Sequence, residues 1–211
     1  MTDEEQPRTT IVEDLRAHDT ATLYESGAHA TMTQNIRMLS GDRRLAGSAL
    51  TVVCHPGDNL MIHVAVARAR VGMVMVVQSH DGRHGVWGEV LTVAAMARGI
   101  AGLVLEGSVR DLGAIRRLRF PVFACGTALR GTGKAGGGHV GEITICGGVP
   151  VSPDDLIVAD ESGIVVIRPN EAESVLAKAR ERGQKEAMML RELQAGRTTM
   201  ELLGLNDPFS G

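Results

Sequence analysis

Residues 72–107 read GMVMVVQSHDGRHGVWGEVLTVAAMARGIAGLVLEG, and the order of patterns in this stretch decides the fold. GMVMVVQS is an apolar, β-branched run without alternation, as expected of a strand buried on both faces. SHDGRHGVWG reads as a Gly-rich ten-residue loop. EVLTVAAMARG is a helix ended by Gly99 in the usual position just past the last turn. IAGLVLEG repeats the buried-strand pattern. Strand, helix and strand in that order predict parallel pairing with the helix on one face.

The same rhythm extends outward. AGSALTVVC (46–54) is a strand ended by the breaker HPGDN, and DNLMIHVAVARAR is a helix with Asp58 at its cap. DLGAIRRL is a short helix, and PVFACG is a strand opened by Pro121. The stretch from Arg130 to Pro169 changes character: several short strands lie between Gly, Pro and Asp turns, antiparallel in part. IVEDLRAHDTATLYESGA predicts one or two short helices, with Asp19 or Thr20 as the cap of the second, and residues 1–8 read as a disordered lead. NEAESVLAKARERGQKEAMMLRELQAG is a long charged helix, and TTMELLGL a short one. No linker or repeat divides the chain. The expectation is a single α/β domain over 1–211, with a core at about 20–170 and a helical extension at 171–205. That extension either covers its own sheet or projects onto a neighbouring subunit.

Composition narrows the function. The 211 residues are 44% hydrophobic and 22% charged with a net charge of −3, as in an ordinary soluble protein, and no basic patch points to nucleic acid. Aromatics are only 2%, which leaves no stacking platform for single strands. Cys54, Cys125 and Cys146 are odd in number and far apart, so neither a disulfide framework nor structural zinc is expected. They read as reduced, buried thiols of a cytoplasmic protein. MTDEEQPRTT is unlike a signal peptide, and no apolar run is long enough to span a membrane.

The chemistry concentrates at two places. Gly88 and Glu89 sit where the loop meets a helix, and the first-turn N–H groups of Val90 and Leu91 are suited to a carboxylate ligand. With twenty residues between them and Glu89, Arg110-Asp111 follow a strand at its C-terminal end, where ligands gather in open α/β sheets. Arg110 offers a planar fork to a carboxylate or enolate oxygen, and Asp111 a hard oxygen to a divalent cation. The plainer reading is an Arg-Asp pair capping the next helix, with Glu89 as an ordinary first-turn acid.

The run GEVLTVAAMARGIAGLVLEGSVRDLGAIRRLRFPVFACG resembles the regulator-of-ribonuclease-activity-A-like family, with HPGDNLMIHVAVARARVGMVMVV before it and VSPDDLIVADESGIVVI after it. Within the family it is most similar to the 4-hydroxy-4-methyl-2-oxoglutarate/4-carboxy-4-hydroxy-2-oxoadipate aldolases, over roughly residues 25 to 195. The resemblance implies a β/β/α swivelling-type layered fold, homotrimers or hexamers, and a class II pyruvate aldolase dependent on Mg²⁺ or Mn²⁺, often with oxaloacetate decarboxylation as well. It implies Arg110 as the pyruvate-binding arginine, Asp111 as the metal ligand, Glu89 as the signature carboxylate, and Gly88-Glu89-Val90-Leu91 as the substrate-binding turn; in such a site Glu89 is expected to orient a proton-carrying water. Glu186 matches an acid given across the subunit interface. Glu89 stands where the aldolases favour Asp, and Ala114 where an acid is common. The family also contains non-catalytic regulators that bind a ribonuclease, an alternative reading for this chain.

Other features carry plainer readings. His80, Asp81 and His84 lie in a polar loop, with Gly82 and Gly85 as hinges of a possible lid. RGTGKAGGG lacks the spacing of a phosphate loop and reads as flexible. Asp58 and Asn59 read as helix caps, and Met188-Met189 as a core or subunit contact.

Overall fold

The computed structural model describes residues 5–41 and 44–208. Two helices, α1 (Glu5–Arg16) and α2 (Thr20–Glu25), precede three strands, β1 (Ala30–Thr31), β2 (Arg37–Ser40) and β3 (Leu45–Cys54). Then follow α3 (Leu60–Arg68), β4 (Val74–Gln78), β5 (Gly85–Trp87), α4 (Glu89–Ala97), β6 (Gly102–Val109), α5 (Leu112–Leu118) and β7 (Val122–Thr127). The β-rich part comprises β8 (Gly138–Val140), β9 (Thr144–Cys146), β10 (Val149–Val151), β11 (Leu156–Asp160) and β12 (Gly163–Ile167). Helices α6 (Ala172–Gln194) and α7 (Thr199–Leu203) close the chain.

The main sheet runs β1-β12-β11-β3-β4-β6-β7-β2. The predicted parallel unit is present: β3, β4, β6 and β7 pair in parallel. Strand β3 joins two halves of the sheet. Residues 45–48 pair antiparallel with β11, whereas Ala49–Val53 pair in parallel with β4. Gly47 lies at this crossing, where a Cβ would stand 2.2 Å from the Gly72 carbonyl oxygen, so only glycine lets the backbones approach.

Alternating side chains turn the pairing into layers. Met75 and Val77 of β4 and Leu103 and Leu105 of β6 face a cluster that includes Ile62 of α3, Leu91 and Ala95 of α4 and Ile115 of α5. Val74, Val76, Val104 and Phe123 face the other way, onto Ile157, Ala159, Ile164 and Val166 of β11 and β12. The outer faces of those strands, with Leu156, Val158, Val165 and Ile167, meet Leu15 of α1, Leu23 of α2 and Val175, Leu176 and Ala179 of α6. Helix, sheet, sheet and helix therefore stack in that order, a β/β/α arrangement with an additional helical cover. Each aliphatic side chain sealed in these layers contributes about 1.5–3 kcal/mol.

The structure corrects several local expectations. Residues from Glu5 onward form α1 rather than a disordered lead, and residues 1–4 lie outside the described residues. The loop before α4 contains the short strand β5, parallel to β6. Asp19 holds the cap position of α2 but makes no capping bond with its side chain. Asp160 does so instead: its carboxylate accepts from the Thr20 N–H at 2.9 Å and the Thr20 hydroxyl at 2.7 Å. The first half of α6 covers its own sheet, while Met188 and Leu190 further along are exposed. No helix among the described residues is long and apolar enough to cross a membrane.

Burial alone would raise the Asp160 pKa, but the Thr20 N–H and hydroxyl and the N–H groups of Ser162 and Gly163 outweigh it and hold the carboxyl below its ordinary range. A carboxyl lowered by folding stabilises the protein above its unfolded pKa of about 3.9, and that contribution is lost as pH falls through the folded value. Asp160→Ala should therefore cost roughly 2 kcal/mol at neutral pH in denaturant titration, with the difference from wild type shrinking below pH about 4. Burial also pushes the Cys54 thiol up to about 11 and raises Cys125 and Cys146. Thiol labelling at pH 8 should leave Cys54 and Cys146 unmodified until the chain is denatured.

Candidate active site

The site is assembled by β5 docking along the end of β6. The Arg110 N–H donates to the Trp87 carbonyl at 2.8 Å, which lays the segment 85–88 against 108–111. Trp87 is fully buried, stacks on Phe120 with ring centres 6.1 Å apart, and donates through its indole N–H to Thr92 Oγ1 at 2.8 Å. The Thr92 hydroxyl donates in turn to the Gly88 carbonyl at 3.0 Å. This chain of bonds fixes the angle at which β5 enters α4, and so places the α4 N-terminus.

At that tip the Glu89 N–H donates to Asp111 Oδ2 at 3.3 Å. Asp111 has a left-handed backbone (φ 54°, ψ 33°) and precedes α5 without capping it through its side chain. The simple helix-cap reading of Arg110-Asp111 therefore fails: the carboxylate turns to the neighbouring helix. Nor is it locked in an ion pair. Arg110 Nε stands 3.7 Å from Asp111 Oδ2, with the side chains 47% and 44% exposed, a geometry worth little in water.

Gly88 keeps this corner open. Its backbone is extended, with φ −156°, so any residue could adopt it. A Cβ there, however, would stand 2.6 Å from Asp111 Oδ2 and 3.1 Å from Arg110 Cγ. The sequence-predicted Gly88, Glu89, Arg110 and Asp111 thus converge at one corner, with Leu91 buried behind it and Val90 exposed at its edge. Helix geometry leaves the first-turn N–H groups of Glu89, Val90 and Leu91 without intrahelical acceptors. Among the described residues the Glu89 carboxylate has no hydrogen-bond or salt-bridge partner. Glu186 lies on α6, in the helical layer beyond the second half-sheet, beside a groove lined by Ala17, His18 and Asp19. Within one chain it does not join the corner.

The donor set suits one hard divalent cation. Asp111 is half exposed, touched only by an N–H and a distant guanidinium, and has open space where Gly88 lacks a side chain. Among the described residues no group of three or more His, Cys, Asp or Glu side chains converges to form a complete cage. A cation held by Asp111 would complete its shell with water, the usual manner of Mg²⁺ where few carboxylates are present.

Sequence reading missed how the surroundings are fastened. The 128–138 segment is pinned rather than loose: the Gly85 N–H donates to the Arg130 carbonyl at 2.9 Å, and Ala135 and Gly136 donate to Asp58 Oδ2 at 2.6 and 3.3 Å. Asp58 does cap the Leu60 N–H, at 2.8 Å, while Asn59 reaches the Val86 carbonyl with its side-chain amide at 2.9 Å. The 79–84 loop is cross-tied as well, by a hydrogen bond between the His84 ring and the Asp81 carboxylate and by the Ser108 hydroxyl on the Gly82 carbonyl at 2.8 Å. Asp58, within the breaker HPGDN that ends β3, was the only sequence signal for any of these ties.

Known proteins place this arrangement in context. The family model described as RraA-like, aldolase/RraA, matches residues 10–166. A protein of Halalkalibacterium halodurans, provisionally named a 4-hydroxy-4-methyl-2-oxoglutarate aldolase, is 37% identical over 152 residues, 72% of either chain. A crystal structure of an uncharacterized protein from Pseudomonas syringae pv. tomato superposes with a TM-score of 0.77 at 27% identity, covering 90% of this chain and 94% of that one. The RNA-processing inhibitor RraA from Thermus thermophilis superposes at 0.66 with 25% identity, covering 71% and 92%.

Gly88→Ala tests the open corner directly. The added methyl should displace the Asp111 carboxylate and weaken Mn²⁺ binding, followed by electron paramagnetic resonance, by roughly tenfold or more, with little change in melting temperature.

Proposed function

Because the chain belongs to the RraA-like family, we propose that it is a divalent-metal-dependent lyase that cleaves a 4-hydroxy-2-oxo di- or tricarboxylic acid to pyruvate and a second oxo acid. The observation that carries this reading is the meeting of Arg110 and Asp111 with the N-terminus of α4 across the Gly88 gap. Mg²⁺ or Mn²⁺ on Asp111 would supply Lewis-acid polarisation of the 2-oxo group. The α4 N–H groups bind the pyruvyl carboxylate. Arg110 faces the oxygen that gains negative charge as the C3–C4 bond breaks and its electron pair passes into the enolate. Glu89, with no competing partner, orients the water that takes the proton from the 4-hydroxyl. The enolate then gains a proton at C3 to give pyruvate. Loss of CO₂ from oxaloacetate leaves the same enolate and is the natural second activity.

The assembly belongs to the same reading. Val90, Val93 and Met96 expose an apolar stripe on α4 beside the site, and Met188 and Leu190 another on α6. Burying such surfaces between copies favours a homotrimer or hexamer, in which Glu186 of a second copy could approach the corner. A non-catalytic regulator would use the fold shared with the RNA-processing inhibitor, yet would have no use for the Arg110–Asp111 corner.

A coupled pyruvate-release assay across 4-hydroxy-2-oxo diacids and oxaloacetate decides the matter. Activity should vanish in EDTA and return with Mg²⁺ or Mn²⁺. Arg110→Ala should lower kcat by roughly two to three orders of magnitude, the usual effect of losing one charge-stabilising donor. Full cleavage in EDTA, or by Asp111→Ala, would overturn the proposal.

A further inference from the structure

The residue pair Asp58-Asn59 holds both segments that flank Arg110. On one side, the Asn59 side-chain amide donates to the Val86 carbonyl at 2.9 Å. Val86 lies between Gly85, whose added Cβ would stand 2.8 Å from Arg110 Cβ, and Trp87, whose carbonyl accepts the Arg110 N–H. On the other side, the Asp58 carboxylate draws in the glycine loop through Ala135 and Gly136. Two backbone bonds reinforce the seam, from Gly133 N–H to the Gly57 carbonyl at 2.8 Å and from Asn59 N–H to the Gly133 carbonyl at 3.2 Å. That loop brings Gly131 against the guanidinium, where a Cβ would stand 3.7 Å from Arg110 Nη1.

We propose that Asp58 is a positioning residue for Arg110, fixing the guanidinium by clamping the 131–136 loop over it. The role rests on the reading of Arg110 as the substrate-binding arginine. Asp58 is buried, and one carboxylate serves three N–H groups from two segments far apart in the chain. Cap and clamp are therefore separable. Oδ1 serves the helix through Leu60, and Oδ2 serves the loop. A helix cap needs only the first, and a serine supplies it. Nothing in the stability of α3 calls for the second.

Two variants isolate the clamp. Asp58→Ser keeps an acceptor for the Leu60 N–H but is too short for the loop, and Asp58→Asn keeps the length but sets a second donor or a neutral acceptor against the loop N–H groups. In both, hydrogen exchange of residues 131–136 should quicken while that of α3 stays protected in the serine variant. Phenylglyoxal modification of Arg110, read by peptide mass mapping, should rise severalfold. In the pyruvate-release assay kcat should fall about tenfold with KM for the oxo acid within about threefold, as loosening a donor aimed at the developing charge predicts. A loosened loop with unchanged Arg110 labelling would overturn the proposal, as would unchanged exchange in the loop. If wild type releases no pyruvate from any substrate, the lyase reading fails by itself, and the labelling of Arg110 still decides whether Asp58 positions it.

Discussion

One backbone hydrogen bond sets the geometry on which the rest depends. When the Arg110 N–H meets the Trp87 carbonyl, β5 becomes a short parallel neighbour of β6, and two segments twenty residues apart share a corner. Everything chemical about that corner is a consequence. The tip of α4 points at Asp111 because β5 feeds α4 at a fixed angle, and a methyl group at Gly88 would take the space that the Asp111 carboxylate occupies. The sheet supplies the rigidity. Its parallel strands are buried on both faces, so neither neighbour can move without disturbing two hydrophobic layers at once.

The fold was largely legible because these layers write themselves into composition. Strands covered on both faces read as unbroken Val, Leu and Met, as in residues 73–77 and 103–105, and the helix between them, α4, ends just before Gly99. Short elements were not legible. Gly85–Trp87 is too brief for any periodicity, and its status as a strand exists only because β6 is alongside. Strands β1 and β2 lie at the two ends of the sheet and likewise take their conformation from a partner distant in sequence.

At the site, residue types and spacing suggested Glu89, Arg110 and Asp111, but the family resemblance, not the spacing, raised them above an ordinary helix cap. The left-handed backbone of Asp111, which sends its carboxylate to α4 instead of α5, has no local sequence signature. The glycine loop shows the same limit from the other side. Five glycines, with Thr132 and Ala135 among them, make 131–138 look like slack chain, and the carboxylate that tightens it belongs to a helix start more than seventy residues earlier. Local composition describes what a segment can do when left alone. Long-range acceptors decide what it does.

The chain's only tryptophan stands at the foot of this corner, sealed from water and tied through Thr92 to the residue that keeps the corner open. The molecule thus carries its own optical probe. With no second indole to dilute the signal, emission from Trp87 starts blue, as in a dry environment, and any shift of β5 or the head of α4 changes its surroundings first. Occupancy of the corner can be followed in unlabelled protein, by light alone.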